Sequence, residues 1–440
     1  MTPLLAVLAA AATSPAAEAP PAPPPIEVHG EVRARGEGLS QLDLDPGTVS
    51  TGKSWADGER MLLRTRIGVD ARPTDQLSFY AQIQDSRLFG QEASTVTNAN
   101  VLGLRQGWVE VHDVGGVPVA LRVGRMELSY GDQRLVGPLG WDNVGRSFDG
   151  VLAKSTFGAF AIDAFFTRLH MDPWNDAARS IGDDFAGLYG RWNALPWLQV
   201  DAYVFGLYDR GGTADANGDG VAEERLPGGG DLQLYTPGVR VDARPVQGLH
   251  LNGELALQAG NRGGQDVQAW AAHGAADYTF AIATAPKLLV GYDAASGDED
   301  AGDDTWGTFE NLYPTNHDKY GLMDLAGWKN LSDAYFGAGF QPVQPLAFQA
   351  TVHLLGRMET GDTFYRAGGA ALRDRAVAAA SDATDVGTEL DLTLNWNVTR
   401  NFGALLGYSK LWSGGFLDDT AAAGHAPDPA FGYVQLTGAF

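Results

Sequence analysis

Charge in this chain falls at alternate positions. Along residues 60–69, Arg60, Leu62, Arg64 and Arg66 occupy one face of an extended segment, and Leu63, Thr65, Ile67 and Val69 the other. A guanidinium stays charged at every relevant pH and meets a carboxylate through two parallel hydrogen bonds. Rings of such groups favour anions, and a polyuronate, with a carboxylate on each sugar, is the matching cargo chemistry. A second candidate lies at residues 215–224, D-A-N-G-D-G-V-A-E-E, where Asp215, Asn217 and Asp219 supply oxygen ligands at alternate positions before Gly220, as in calcium loops. Leu226 stands where such a loop expects its Glu, so an ordinary acidic turn is the competing reading. A structural calcium in this outer loop is the one cofactor the sequence suggests.

Catalytic chemistry is not offered. The 8 His are scattered without metal-ligand spacing, and neither G-x-S-x-G nor H-E-x-x-H occurs, so no enzyme is expected. With 54 acidic against 31 basic residues and a net charge of -23, nucleic acid is not an expected partner.

The elements that position these charges read as strands. Beyond the first residues no run approaches the roughly 18 apolar residues that a membrane helix needs. Residues 1–19 have the short apolar core and small-residue end of a secretory signal peptide, and 20–25, P-P-A-P-P-P, reads as an extended tether. Folding is expected over 26–440, as an all-β, antiparallel transmembrane barrel of about eighteen strands. The strands fall near 26–38, 59–71, 76–88, 104–113, 118–128, 147–155, 159–169, 183–193, 197–209, 235–244, 248–260, 267–281, 285–294, 331–341, 345–357, 385–398, 401–412 and 429–440. Tight connections such as 71–75, 114–117, 194–196, 245–247 and 342–345 alternate with long ones such as 209–234, 295–330 and 358–384, and both termini fall on the tight side. Short periplasmic turns with long outer loops are the pattern of an outer-membrane barrel. The last strand ends on Phe440 and looks like the assembly signal of such barrels. A large soluble β-protein would also alternate, but a propeller would repeat every 40–50 residues or so, and no such period is found.

Two long segments carry a family resemblance. Residues 122–150, R-V-G-R-M-E-L-S-Y-G-D-Q-R-L-V-G-P-L-G-W-D-N-V-G-R-S-F-D-G, mix Arg125, Arg134 and Arg146 with Glu127, Asp132, Asp142 and Asp149 in a Gly-rich stretch, which suggests an ordered loop folding into the pore. With 308–331, T-F-E-N-L-Y-P-T-N-H-D-K-Y-G-L-M-D-L-A-G-W-K-N-L, this strongly resembles the alginate-export family of outer-membrane barrels. The resemblance implies a monomer whose Arg-rich lumen passes a polyanionic uronate chain outward by passive diffusion. The positions it matches are Arg33, Arg35, Arg64, Arg66, Arg125, Arg134 and Arg146. Implied partners are the lipid bilayer and lipopolysaccharide, the barrel-assembly machinery, an anionic oligo- or polysaccharide and periplasmic export proteins.

Other readings stand beside this one. The arginines, paired with Glu31, Glu37 or Asp70, would also simply brace the wall. Glu254, Asp293, Glu389 and Asp391 point inward by alternation, so a transverse field, Arg on early strands against acids on late ones, is an alternative to a uniformly positive pore. A porin-like channel for small anionic or sugar solutes and a loop-based surface receptor or adhesin remain open. Trp141, Trp174, Trp192, Trp197, Trp306, Trp328 and Trp396 suit interface girdles, and Trp306 and Trp328, in the longest loop, also suit a saccharide platform.

Overall fold

The computed structural model describes residues 26–40, 58–89, 102–168, 184–209, 213–214, 223–224, 231–421 and 424–440. The leader at 1–19, the tether at 20–25, Trp174 and the calcium candidates Asp215, Asn217 and Asp219 lie outside them.

Eighteen strands form the wall. They are β1 Ile26–Ser40, β2 Gly58–Thr74, β3 Leu77–Phe89, β4 Gly103–Val111, β5 Val119–Met126, β6 Phe148–Phe157, β7 Phe160–Arg168, β8 Asp184–Leu195 and β9 Leu198–Asp209. The second half comprises β10 Leu232–Ala243, β11 Leu249–Arg262, β12 Gln265–Thr279, β13 Lys287–Ala295, β14 Leu331–Val343, β15 Leu346–Gly356, β16 Asp385–Thr399, β17 Phe402–Ser413 and β18 Ala430–Ala439. Each pairs antiparallel with the next, and β18 returns to β1 from Glu31↔Ala439 to Ser40↔Ala430, which closes the ring. Closure pairs the wall's backbone groups with one another, as lipid demands. Among the described residues no helix is long and apolar enough to cross a membrane.

Alternation of side chains sets the two faces. On β2, Ile67 and Val69 are exposed on the outer face while Leu62 and Arg64 are buried within. On β16, Leu392 and Trp396 face outward while Glu389 and Asp391 are buried. Apolar side chains are stable on the outside because their solvent there is hydrocarbon, which leaves the polar set for the lumen.

Two features depart from the expected pattern. The β11–β12 connection lies on the long-loop side yet is a two-residue turn, Gly263–Gly264, with φ of 59° and 98°. Positive φ at both positions is the geometry of a tight hairpin turn, and glycine adopts it without a Cβ penalty. The lumen, expected to be polar, also holds an apolar core. Inward Phe148, Phe165, Phe185 and Phe205 of β6–β9 pack with Tyr130 and Val136 of the β5–β6 loop (127–147) and with Phe309, Tyr313, Tyr320 and Trp328 of the β13–β14 loop (296–330). Both loops therefore run inside the barrel.

The base of the β5–β6 loop is pinched by glycines. Gly124 has φ 134°, and a Cβ there would stand 2.2 Å from the Gly107 carbonyl oxygen. Its register partner Gly150 is as crowded, with a Cβ position 2.2 Å from Phe166 O. Gly124→Ala is expected to lower stability by about 1–3 kcal/mol, the scale of a strained non-glycine backbone, read as a lower urea midpoint for the refolded barrel. An unchanged midpoint would mean that the strands part here at no cost.

Candidate functional site in the lumen

Two walls of opposite sign grip the two inward loops. On the early wall, inward Glu31, Arg33, Arg35 and Glu37 of β1 stand in register with Arg66, Arg64, Leu62 and Arg60 of β2. Arg33 donates to Gly140 O at 2.9 Å and Asp142 O at 3.0 Å, and Arg64 donates to the same two oxygens at 2.9 Å each. Arg35 donates to Trp141 O, between them, at 2.8 Å. Three consecutive loop carbonyls are thus held by three guanidiniums. Arg105 of β4 adds Pro138 O at 3.0 Å, and Arg146, within the loop, donates to Gly137 O at 3.3 Å and Pro314 O at 3.0 Å. Burial lowers the Arg146 guanidinium to about 10, which leaves it charged at neutral pH.

Carboxylates relieve part of this positive charge. Arg64 meets Glu31 at 2.8 Å, Arg105 meets Glu127 at 2.7 Å, and Glu37 is shared by Arg35 and Arg60. Arg66 donates to Gln84 at 2.6 Å and keeps a buried Nη2 without a hydrogen-bond partner.

The late wall uses the opposite chemistry. Asp391 and Glu389 of β16 accept from the backbone N–H groups of Leu322 at 3.0 Å and Met323 at 2.9 Å. Asp293 of β13 receives Arg134 of the β5–β6 loop at 2.7 Å and His273 at 2.9 Å. His353 lies 2.8 Å from Asp333, and Tyr203 donates to Glu254 at 2.6 Å. The inward acids foreseen by alternation are therefore structural partners of loops, histidines and a tyrosine.

The loops are also tied to each other. Gly137 N donates to Tyr313 O at 2.8 Å, Tyr313 N to Leu135 O at 2.9 Å and Thr315 N to Gln133 O at 2.9 Å. Trp141 sits between the Arg35 guanidinium, 3.7 Å from its ring centre, and the His317 ring at 3.5 Å. Its place is a stacked seam inside the lumen, away from any membrane girdle.

On the short-turn side of this plug lies a cavity of about 1040 Å³. Lining it are Arg33, Arg64, Arg134, Lys287 and Lys319, balanced by Glu31, Asp132, Asp277, Asp318 and Asp391, with four histidines. Lys287 reaches Asp277 at 3.7 Å and Lys319 reaches Asp318 at 3.3 Å, looser pairs than those of the arginines.

Arg33, Arg35, Arg64 and Arg66 come together as alternation foresees and Arg146 joins them through the inward loop, while Arg134 of the same loop is held at the late wall by Asp293. Arg125 does not enter the lumen. It shares the outer face of β5 with exposed Leu121 and Val123 and binds Asp149 at 2.7 Å, because 125 is odd where inward Arg122 and Met126 are even. Arg105 is not legible from alternation because the register slips between Leu104 and Gln106, turning an outward-reading position inward. Trp328, at 0% exposure, packs on Phe309 and is closed to a saccharide, while Trp306 stacks under Arg262 at 4.1 Å. Trp197 and Trp396, exposed at the short-turn ends of β9 and β16, hold the girdle positions expected of them.

Hydrogen bonds from a charged donor contribute about 1.5–3 kcal/mol each. Arg33→Ala with Arg64→Ala is thus expected to raise amide exchange across residues 137–142 and enlarge single-channel conductance. Arg33→Lys with Arg64→Lys should do nearly the same, since an ammonium lacks the planar fork; full protection in the lysine variant would show that charge alone holds the loop.

Comparison with known proteins gives a consistent set. The family described as Alginate export matches residues 26–427. Among solved structures, Pseudomonas aeruginosa OccD3 (OpdP) superposes with TM-score 0.61 at 12% identity, covering 94% of this chain and 91% of its own. Pseudomonas aeruginosa OccK11 (OpdR) gives 0.59 at 11% identity, with 94% and 96% covered. Pseudomonas aeruginosa OpdO gives 0.59 at 13%, with 94% and 97% covered. These likenesses concern the fold. No curated protein matches the chain.

Proposed function

Because the chain belongs to the alginate export family of outer-membrane barrels, we propose that it conducts an anionic, uronate-type polysaccharide through its lumen by passive diffusion. Its place is the outer membrane, and its family and fold are those of channels. The observation that carries the substrate reading is the cavity below the plug, with cations and carboxylates in equal number. A uronate presents both a carboxylate and hydroxyls. Cations take the first and carboxylates, histidines and amides take the second, so a mixed wall fits a charged sugar better than a bare anion.

The division of labour among the cations supports transport over tight capture. Arg33 and Arg64 are committed to loop carbonyls, whereas Lys287 and Lys319 are held by one carboxylate each at 3.7 and 3.3 Å. Loosely paired ammonium groups exchange partners at small cost, and conduction needs several weak sites in place of one strong one. A barrel without an energy source lets its solute run down a gradient, so direction would be imposed by periplasmic partners.

The balanced charge also favours a second reading, a porin-like channel for small sugar-like solutes. Block of single-channel current separates the two. Oligouronate is expected to block the unaltered protein more strongly than neutral oligosaccharide of equal length, and Lys287→Ala with Lys319→Ala to weaken the uronate block alone. Equal block by the neutral sugar would leave the general channel and sink the uronate reading.

A further inference from the structure

The outer face of the wall carries an ordered row of charge in one sector. Arg125 of β5, Asp149 of β6, Arg168 of β7 and Asp184 of β8 are successive register partners: Arg125↔Asp149, Asp149↔Arg168 and Arg168↔Asp184. All four lie on the outward face, at the long-loop ends of their strands. Arg125 makes a two-toothed pair with Asp149 at 2.8 and 2.7 Å, and Arg168 donates to Asp184 at 2.7 Å. The side chains of Arg125, Asp149 and Arg168 are 30%, 38% and 51% exposed and that of Asp184 15%, so the row is paired, with three of its four members open to a ligand.

Its height on the barrel is fixed by what lies beneath. The next outward row is Val123, Val151, Phe166 and Ala186, also in register, and the one below is Leu121, Ala153, Ala164 and Leu188. Two residues along a strand advance about 6.6 Å, so the wall passes from fully apolar to fully charged within that step. A charge on the lipid face is expensive at mid-membrane and nearly free at the interface. The row therefore marks the headgroup level of the outer leaflet. It runs on to Tyr208, the register partner of Asp184, and beyond it the outer ends of β10, β12, β13 and β17 carry outward Tyr235, Trp270, Tyr292 and Trp412. Aromatic rings are the ordinary occupants of this level. Between β5 and β8 they give way to alternating Arg and Asp.

We propose that the row Arg125–Asp149–Arg168–Asp184 is a docking surface for the phosphorylated glycolipid headgroup of the outer leaflet. Guanidinium groups meet phosphate bidentately. Asp149, the more exposed of the two aspartates, is the carboxylate from which a divalent cation would bridge to headgroup phosphate, oxygen ligands being what such a cation takes. The apolar rows beneath receive the acyl chains, so headgroup and tail are matched on the same four strands.

Native mass spectrometry of the refolded protein in detergent, titrated with diphosphoryl lipid A and with its dephosphorylated form in magnesium or chelator, tests this. Retention of the diphosphoryl form, weakened by chelator and weakened about tenfold in Arg125→Gln with Arg168→Gln, the scale of one lost charge-assisted pair, is the expected result. Conductance of that variant stays unchanged, because neither side chain enters the lumen. Equal retention of the dephosphorylated lipid, or unchanged retention by the variant, overturns the proposal. Should the double variant not insert, Arg168→Gln alone carries the same reading, since its side chain is the most exposed of the row.

Discussion

Everything inside this barrel depends on the backbone of two loops finding partners where water is scarce. A loop that enters a lumen brings its carbonyl and N–H groups with it, and a buried group left unpaired costs on the order of 1–3 kcal/mol. The early wall answers with guanidiniums for the carbonyls of Pro138, Gly140, Trp141 and Asp142, and Arg146 of the loop itself takes that of Gly137. The late wall answers with carboxylates for the N–H groups of Leu322 and Met323. Opposite signs on opposite walls are thus required by the plug itself, whatever field they also impose on a passing solute.

This division lets an acidic chain hold buried arginines inside its barrel. Net charge of -23 is a property of the whole surface. Arg33, Arg35 and Arg64, at 2–4% exposure, are placed by β-strand alternation and kept by their bonds to the loop. Lysine joins the arginines at the cavity, where Lys287 and Lys319 add mobile point charges beside the fixed forks. The aromatic core on β6–β9 supplies what the charges do not, an apolar bed that packs both loops against one side of the barrel.

Much of this architecture was legible from alternation alone. All eighteen strands fall where period-two patterning puts them, because lipid outside and loops inside enforce the rule on both faces. The failures are local and have local causes. The Gly263–Gly264 turn reads as a long connection until both positive φ values are seen, since two glycines announce freedom and not which turn results. The motif around Arg125 points to the lumen, against the parity of its own strand. Arg105 was hidden by a bulge. The partners of Arg33, Arg35 and Arg64 were the least legible of all, for a carbonyl oxygen is carried by every residue and leaves no trace in a sequence. The aromatic lumen is illegible for a related reason: Phe165 and Phe205 look like wall residues until a loop is known to lie against them.

The carbonyl grip has a consequence for how such a channel changes over generations. A guanidinium that binds backbone oxygen does not read the side chain attached to it, so the wall recognises the path of the loop and ignores its spelling. At Gly140, held by both Arg33 and Arg64, the space a Cβ would take is empty, with nothing within 4 Å. Substitution there would alter the face shown to the cavity while the anchoring bonds stay in place. The barrel is in this sense a socket: its selectivity is free to drift by exchange of a few loop residues, with the eighteen strands and their charges held constant.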